Sequence, residues 1–244
     1  MNHLNPTVLL VHGAFAESAS WNGVIKELHG AGTDAVAVAN PLRSLSGDAS
    51  YLRDVIASTE GPVILAGHSY GGMVITQAAA DNPKVQGLVY VAAFAPDTGE
   101  SAVALSGSAP GSTLGQTLEG RPLNDGTTEL SIRLEAFHEQ FCADVDAPTA
   151  ALMARTQRPV TEAALTEGLP TSRPAWRSLP SWFVLGTEDR NIPAAAIRAE
   201  AARAGARGTH ELTGASHAIS VSRPFEVAAT IAQAVAACRA DHAA

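Results

Sequence analysis

One serine in the sequence stands between glycines in a pattern that could support nucleophilic chemistry. Residues 67–71 read Gly-His-Ser-Tyr-Gly, with Ser69 at the centre. A serine hydroxyl is a poor nucleophile unless a base accepts its proton, and glycines two positions away on either side leave room for a strained, sharp turn. The pattern therefore predicts that Ser69 is a nucleophile held outward on a tight turn. The alternative is a loop serine without chemistry.

The residues around Ser69 supply the context that such a turn requires. Residues 62–66 form an unbroken apolar run, which is typical of a strand buried on both faces, and residues 73–80 resemble a helix. The N-terminus of that helix would favour developing negative charge. We therefore expect a strand, a turn and a helix, with the Tyr70 N–H as a donor to an oxyanion.

The rest of the chain alternates predicted strands and helices, which calls for a parallel sheet. This alternation breaks between about residues 97 and 179, where residues 130–154 and 160–169 look helical. We interpret residues 1–96 and 180–244 as one core and residues 97–179 as a helical cap insertion that supplies apolar pocket walls. The alternative is a packing subdomain without substrate contact. The predicted strands cover residues 7–11, 34–39, 62–66, 85–93, 181–186 and 208–212.

The chain has eight histidines that could act as the base for Ser69. His217 follows the last predicted strand and precedes the last helix, so it should emerge at the same sheet edge as Ser69. His68 adjoins the serine but is expected to point elsewhere. His217 is therefore the predicted base.

A carboxylate must fix the tautomer of the base and stabilise the imidazolium that forms. Asp189 follows the strand at residues 181–186 by a short turn and can reach His217 from the neighbouring loop. Asp97, which follows the preceding strand, is the alternative acid. The order Ser69, Asp189, His217 matches the order of a known hydrolase architecture.

Composition limits the possible classes of protein. The chain has 244 residues, of which 46% are hydrophobic and 16% charged, and this fits one large globular domain. A net charge of −8 without a basic run argues against nucleic acid or an anionic membrane surface as a partner. The first residues lack a signal-peptide pattern, so we expect a cytoplasmic protein. Cys142 and Cys238 match no metal or redox spacing and are expected to be free buried thiols.

From residue 7 onward the chain resembles an α/β-hydrolase. Many members of that family open with two further strands before the strand that ends in His-Gly. The given sequence starts directly at the His-Gly strand, so the resemblance implies six parallel strands. It also implies a second oxyanion donor just after that strand, for which we favour the Ala14 N–H, with the Phe15 N–H behind it. His12 is expected to tie down this loop through its ring nitrogens. The matching motifs are His12-Gly13-Ala14, the run from Gly67 to Gly72, Asp189 and His217.

More narrowly, the chain is similar to the branch that contains plant methyl-ester esterases and hydroxynitrile lyases. Trp21 after the His-Gly-Ala loop and a Gly-x-x-His near the end carry this likeness, although Trp21 is expected in the core. Lyase members of that branch are expected to have a threonine after the first-strand histidine and a lysine after the catalytic histidine. Gly13 and Ala218 stand at these positions, which favours ester hydrolysis.

The sequence thus predicts a serine carboxylesterase that needs no cofactor and no metal and acts on a small-molecule ester. A ligand-sensing protein on a hydrolase scaffold is the alternative from another class. Lactone, thioester or carbon–carbon bond hydrolysis and cofactor-free peroxidation could use the same residues. Epoxide or haloalkane opening is disfavoured, because those sites place an aspartate where Ser69 stands. Neither nucleic acid nor membrane is expected as a partner, and the oligomeric state is not predicted.

Overall fold

The first half of the chain alternates strands and helices, as predicted. The computed structural model describes residues 5–243, with side chains up to residue 240. Residues 1–4 lie outside the described residues. They form part of the N-terminal segment from which a cytoplasmic protein is expected. A 3-10 turn at Ser18–Trp21 precedes the first helix. The elements are β1 (Thr7–Val11), α1 (Asn22–Gly30), β2 (Ala35–Val38), α2 (Leu45–Ser58), β3 (Val63–His68), α3 (Gly71–Ala78) and β4 (Val85–Val91).

The segment after β4 combines short helices with a small antiparallel sheet. The sequence-based expectation of continuous helix from residue 130 was wrong at its start. The chain reverses at residues 123–127, where Gly126 has a φ of 85°, and β6 then pairs with β5. The Asp-Gly dipeptide at this turn is a hairpin signal that the sequence analysis did not use. The elements are α4 (Ala102–Ser106), β5 (Leu118–Pro122), β6 (Thr128–Ile132), α5 (Leu134–Phe141), α6 (Ala147–Thr156), β7 (Val160–Thr161) and α7 (Glu162–Thr166). The boundaries proposed for the cap, residues 97–179, stay a prediction.

The final part of the chain completes the main sheet. Its elements are β8 (Ser181–Gly186), α8 (Ala194–Arg203), β9 (Gly208–Leu212), α9 (Ile219–Ser222) and α10 (Pro224–Ala243). The six strands lie in the order β2-β1-β3-β4-β8-β9, and all neighbouring pairs are parallel. The predicted six-stranded parallel sheet is confirmed. None of the described helices is both long and apolar enough to cross a membrane.

The strand order reverses at β1, which has β2 on one side and β3 on the other. In open α/β sheets such a reversal leaves a crevice at the carboxyl ends of the two strands that flank it. The loops after β1 and β3 open at this crevice. Ala14 lies in the first of these loops and Ser69 in the second.

Both faces of the sheet are buried, because successive strand residues point to opposite sides. In β1, Val8 and Leu10 pack with α1 and α10, whereas Leu9 and Val11 pack with α2 and α3. Trp21 is fully buried on the α1 side, as predicted. Cys142 and Cys238 are free and buried, as predicted.

A buried glutamate holds the chain where it leaves the sheet after β4. Glu200 Oε2 on α8 accepts the Ala95 N–H, and Glu200 Oε1 is buried without a partner among residues 5–240. Arg203, one turn later, donates to the Ala95 carbonyl at 2.9 Å. Burial raises the pKa of Glu200 to about 7, although the Ala95 N–H and the Arg203 charge oppose the rise.

We predict that Glu200→Gln removes a pH-dependent part of the free energy of unfolding. A carboxyl whose pKa is raised by folding contributes stability that is present below its ordinary pKa of 4.5 and lost as the pH rises through about 7. Each pKa unit corresponds to about 1.4 kcal/mol, so the wild type should lose roughly 3 kcal/mol relative to the variant across this window. Urea unfolding at a series of pH values measures the difference. A difference that stays constant with pH would contradict the prediction.

Candidate active site

Ser69 occupies the turn between β3 and α3 at the carboxyl edge of the sheet. Its φ is 55°, a left-handed conformation that is uncommon for residues with a side chain. The Ser69 N–H donates to the Val91 carbonyl at 3.2 Å, and the Ser69 carbonyl accepts the Gly72 N–H at 2.9 Å. These bonds hold the strained backbone between strand and helix. Strain of this kind collects at functional sites.

The two glycines flanking Ser69 permit a close crossing of strand and helix. A Cβ on Gly67 would lie 2.6 Å from the Gly71 carbonyl oxygen, and a Cβ on Gly71 would lie 2.4 Å from the Val11 carbonyl oxygen. Neither position can carry a side chain without moving the backbone. The predicted reason for the glycines thus agrees with the structure.

His217 and Asp189 form a buried pair in the loops after β9 and β8. The His217 Nδ1–H donates to Asp189 Oδ2 at 2.7 Å, and both side chains are fully buried. Asp189 Oδ1 accepts the N–H groups of Asn191 and Ile192 at 2.7 and 2.9 Å. These donors stabilise the carboxylate and fix the orientation of the imidazole. His217 Nε2 is buried and has no hydrogen-bond partner within the described part of the chain.

His68 connects the Ser69 turn to the His217 loop. Its Nε2–H donates to the His217 carbonyl at 3.1 Å, and the two ring centroids are 4.7 Å apart. Burial, together with the neighbouring His217, lowers the pKa of His68 well below its usual value, so the ring is neutral. Sequence analysis placed His68 away from the serine hydroxyl but did not predict this contact. Its position next to Ser69 in the sequence was the only available signal.

The Ser69 hydroxyl faces a cavity and makes no hydrogen bond to His217. The structure therefore brings Asp189 and His217 into direct contact, and joins Ser69 to them through its neighbour His68. A Cβ on Gly13 would lie 3.2 Å from Ser69 Oγ, so the hydroxyl lies next to the loop after β1.

Two backbone N–H groups beside Ser69 lack an acceptor. The N–H groups of Ala14 and Tyr70 donate to no group in residues 5–243, and both residues line the cavity with Ser69. The Phe15 N–H, predicted as the next choice after Ala14, instead donates to the Arg158 carbonyl of the cap segment at 3.1 Å. Unengaged donors at this position are available to a ligand with an anionic oxygen.

His12 fastens the loop after β1, as expected. Its Nε2 accepts the Asn40 N–H at 3.1 Å, and its Nδ1–H donates to the Gly13 carbonyl at 3.0 Å. Burial lowers the pKa of His12 to about 4, so the ring is neutral over most of the pH range. Both ring nitrogens are occupied, which leaves His12 no proton to exchange with a ligand.

Asp97, the alternative acid, pairs with Arg177 and not with His217. It accepts two hydrogen bonds from Arg177 at 2.8 and 2.6 Å, and this guanidinium holds the pKa of the carboxyl below its usual value. The contact with His217 is made by Asp189 instead.

The side chain of Tyr70 is anchored in the core beneath the site. Its hydroxyl donates to Asp48 Oδ2 at 2.9 Å, and Asp48 Oδ1 accepts the Arg43 N–H at 3.0 Å. Tyr70 and Asp48 are each only 1% exposed. Burial raises the pKa of the Asp48 carboxyl, although both of these hydrogen bonds oppose the rise. The anchor limits movement of Tyr70, whose N–H faces the cavity.

The cavity has a volume of about 310 Å³ and is mainly apolar. Residues of the segment between β4 and β8 form much of its wall. The apolar side chains on that wall belong to Ala102, Val103, Leu114, Leu118 and Leu165.

Residues 8–230 match the sequence model of the α/β hydrolase family. The chain belongs to the α/β hydrolase family. The match covers residues of all six strands of the main sheet and the segment between β4 and β8. The resemblance predicted from the sequence is therefore confirmed.

This hydrolase is similar to several proteins named as esterases. It is 39% identical over 111 residues to a carbendazim hydrolyzing esterase of a Nocardioides species, in an alignment that covers 40% of this chain and 46% of that protein. Its fold matches polyneuridine aldehyde esterase with a TM-score of 0.79, at 20% identity and with 94% of this chain and 99% of that chain covered. A methylesterase from Arabidopsis matches with a TM-score of 0.78, at 18% identity over 95% and 99% of the two chains. The chain thus has the fold of these two esterases.

We predict that Tyr70→Phe destabilises the α/β hydrolase, because it removes a donor from the buried Asp48. Leaving such a carboxylate short of a partner should cost about 1–3 kcal/mol. Tyr51→Phe is the matched control, since the Tyr51 ring is exposed and its substitution should change stability by less than about 0.5 kcal/mol. Urea unfolding of both variants measures the two costs. Equal effects would contradict a stabilising role of the Asp48 contact.

Proposed function

We propose that this protein is a serine carboxylesterase. In this mechanism Ser69 attacks the carbonyl carbon of a small-molecule ester, and His217 accepts the hydroxyl proton at Nε2. Asp189 holds the imidazole in the required tautomer and stabilises the imidazolium. No cofactor takes part.

The observation that carries this proposal is the buried Asp189–His217 pair beside a serine with a left-handed backbone. In a neutral His217 whose Nδ1–H donates to Asp189, Nε2 is the basic nitrogen. That nitrogen is buried without a partner in the described structure. A buried acceptor of this kind favours an approaching O–H donor.

The proton transfer needs the Ser69 hydroxyl to form a hydrogen bond with His217 Nε2, which it does not make in this structure. The hydroxyl turns about a single bond, and the contact from His68 to the His217 carbonyl keeps the two loops adjacent. Hydrogen bonds between nucleophile and base are often long or poorly aligned before substrate binds. We therefore expect the Ser69 side chain to rotate when the substrate binds.

The N–H groups of Ala14 and Tyr70 are the proposed oxyanion donors. Attack on the ester places a negative charge on the former carbonyl oxygen, and fixed donors there need no reorganisation. The Asp48 contact holds Tyr70, and the bond from Phe15 to Arg158 holds the loop that carries Ala14. Both donors therefore sit on supported backbone.

The reaction then proceeds through an acyl-enzyme. His217 returns the proton to the leaving alcohol, so the bond between the carbonyl carbon and the alcohol oxygen breaks while Ser69 stays acylated. Water, deprotonated by His217, attacks the acyl group and releases the acid. Ser69 recovers its proton in this step.

Gly13 supports hydrolysis rather than cyanohydrin cleavage. A Cβ at this position would lie 2.6 Å from the Ser69 Cβ and 2.7 Å from the His68 carbonyl oxygen. The threonine expected in lyases of the branch would therefore not fit in this backbone. The Ala218 methyl group offers no charge to a departing cyanide.

The class of substrate is supported by the comparisons. A relative and two structural neighbours are named as esterases, which agrees with the predicted carboxylic-ester hydrolase. The mainly apolar cavity suits a small, largely apolar ester. The cytoplasmic location stays a prediction from the sequence.

We predict that Ser69→Ala lowers kcat on a chromogenic short-chain ester by about four to six orders of magnitude, because it removes the nucleophile. Ser58→Ala is the matched control, since Ser58 lies exposed at the end of α2 and should leave kcat unchanged. A Ser69→Ala preparation that keeps most of the wild-type rate would rule out the mechanism.

A further inference from the structure

The cavity beside Ser69 has one polar corner in an otherwise largely apolar wall. Asn191, Ser106 and Ser112 meet there. Asn191 is only 3% exposed, and its N–H donates to the carboxylate of Asp189. The polar corner therefore belongs to the loop that also holds the proposed acid.

The two serines of the polar corner have hydrogen-bond partners within the protein. The hydroxyls of Ser106 and Ser112 donate to the main-chain carbonyl of Asn191 at 3.0 and 2.9 Å. Ser106 Oγ also lies 3.1 Å from Ser112 Oγ, so the hydrogen of each serine has an acceptor within the protein. The side-chain amide of Asn191 is the remaining polar group of the corner.

The orientation of this amide follows from its neighbours. The Arg190 carbonyl can only accept, so the group of Gln140 that lies 2.9 Å from it is the Nε2 amide. Thr113 then donates its hydroxyl to Gln140 Oε1 at 2.8 Å. Because Gln140 Nε2 only donates, the Asn191 atom that lies 2.7 Å away is the oxygen Oδ1.

This assignment leaves Asn191 Nδ2 as the atom without a partner. It donates to no acceptor in the described residues, although the side chain is almost completely buried. Because Asn191 lines the cavity, a ligand that enters the cavity can accept a hydrogen bond from Nδ2.

We propose that Asn191 Nδ2 donates a hydrogen bond to a second oxygen of the substrate, which makes the enzyme selective for esters with a carbonyl or ether oxygen beyond the scissile group. The selectivity rests on the proposed esterase function. The apolar wall binds the carbon skeleton, and Asn191 sets the position of the second oxygen. An ester without that oxygen leaves the amide unpaired and reacts more slowly.

A series of methyl esters of oxo acids tests this selectivity. The ketone is placed at successive positions from C4 of the acyl chain onward, where it does not activate the scissile carbonyl, and each ester is compared with one that carries a CH2 group in place of the ketone C=O group. We expect kcat/KM to favour the oxo ester by about 3- to 10-fold at one or more positions. Equal rates for every pair would overturn the proposal.

Asn191→Leu is the first variant, because it removes the donor while keeping a similar volume. The ratio of kcat/KM values within the favoured pair should fall to about one. Leu118→Ala is the control, since it enlarges the same cavity at an apolar residue and should change both esters alike. A preference that persists in Asn191→Leu would also overturn the proposal.

Gln140→Leu provides a second variant that keeps Asn191. It removes the N–H that holds Asn191 Oδ1, so the Asn191 amide loses its fixed orientation. The preference for the oxo ester should fall. An unchanged preference would contradict the proposed orientation of Asn191.

The same measurements distinguish a wrong proposal for Asn191 from a wrong proposal for the esterase function. If Ser69→Ala abolishes turnover of both esters but the pair reacts equally, the esterase stands and the Asn191 proposal falls. If neither ester is hydrolysed in a Ser69-dependent reaction, the esterase function itself falls.

Discussion

The close crossing of β3 over α3 is the constraint on which the rest of the site depends. At the glycines at 67 and 71, neighbouring backbone atoms lie so close that a Cβ atom would collide with them. The chain can change direction there only by placing Ser69 in a left-handed conformation, with a φ of 55°. The cost of this strain is offset by the buried strand and helix on either side, both of which pack in the core. An outward hydroxyl at the sheet edge is the result.

Other parts of the fold then position groups around that hydroxyl. His68 links the turn to the His217 loop, so one side chain sets the separation of the two loops. The segment between β4 and β8 supports the loop after β1 through the hydrogen bond from the Phe15 N–H to the Arg158 carbonyl. Beneath the turn, Asp48 holds the ring of Tyr70. These contacts together hold the loops and the turn that surround Ser69.

Much of this arrangement could be predicted from the sequence, because the signals are local. Apolar runs that end in polar loops give the strands of the main sheet, and the order of strands then places Asp189 and His217 at the edge that carries Ser69. The resemblance to α/β-hydrolases added Ala14 to Tyr70 as a predicted oxyanion donor, and neither N–H has an acceptor among residues 5–243. These are consequences of parallel strands sharing one carboxyl edge.

The remaining features depend on contacts between residues far apart in the chain. The direction of the Asn191 amide is set by Gln140, which lies 51 residues earlier, on α5. The contact from His68 to the His217 carbonyl spans 149 residues. The paired strands at residues 118–132 were missed for a different reason. The apolar residues after residue 130 suggested helix, and the Asp-Gly turn was not weighed against them.

Covalent labelling tests the role of Ser69 most directly. The full-length protein is treated with a fluorophosphonate, which phosphonylates only an activated serine hydroxyl, and the modified peptide is identified by mass spectrometry. We expect one adduct per chain, located on Ser69, and its loss in the Asp189→Asn variant, in which the imidazole is no longer held in the required tautomer. An adduct on another residue, or no adduct on a folded protein, would contradict the proposal that Ser69 is an activated nucleophile.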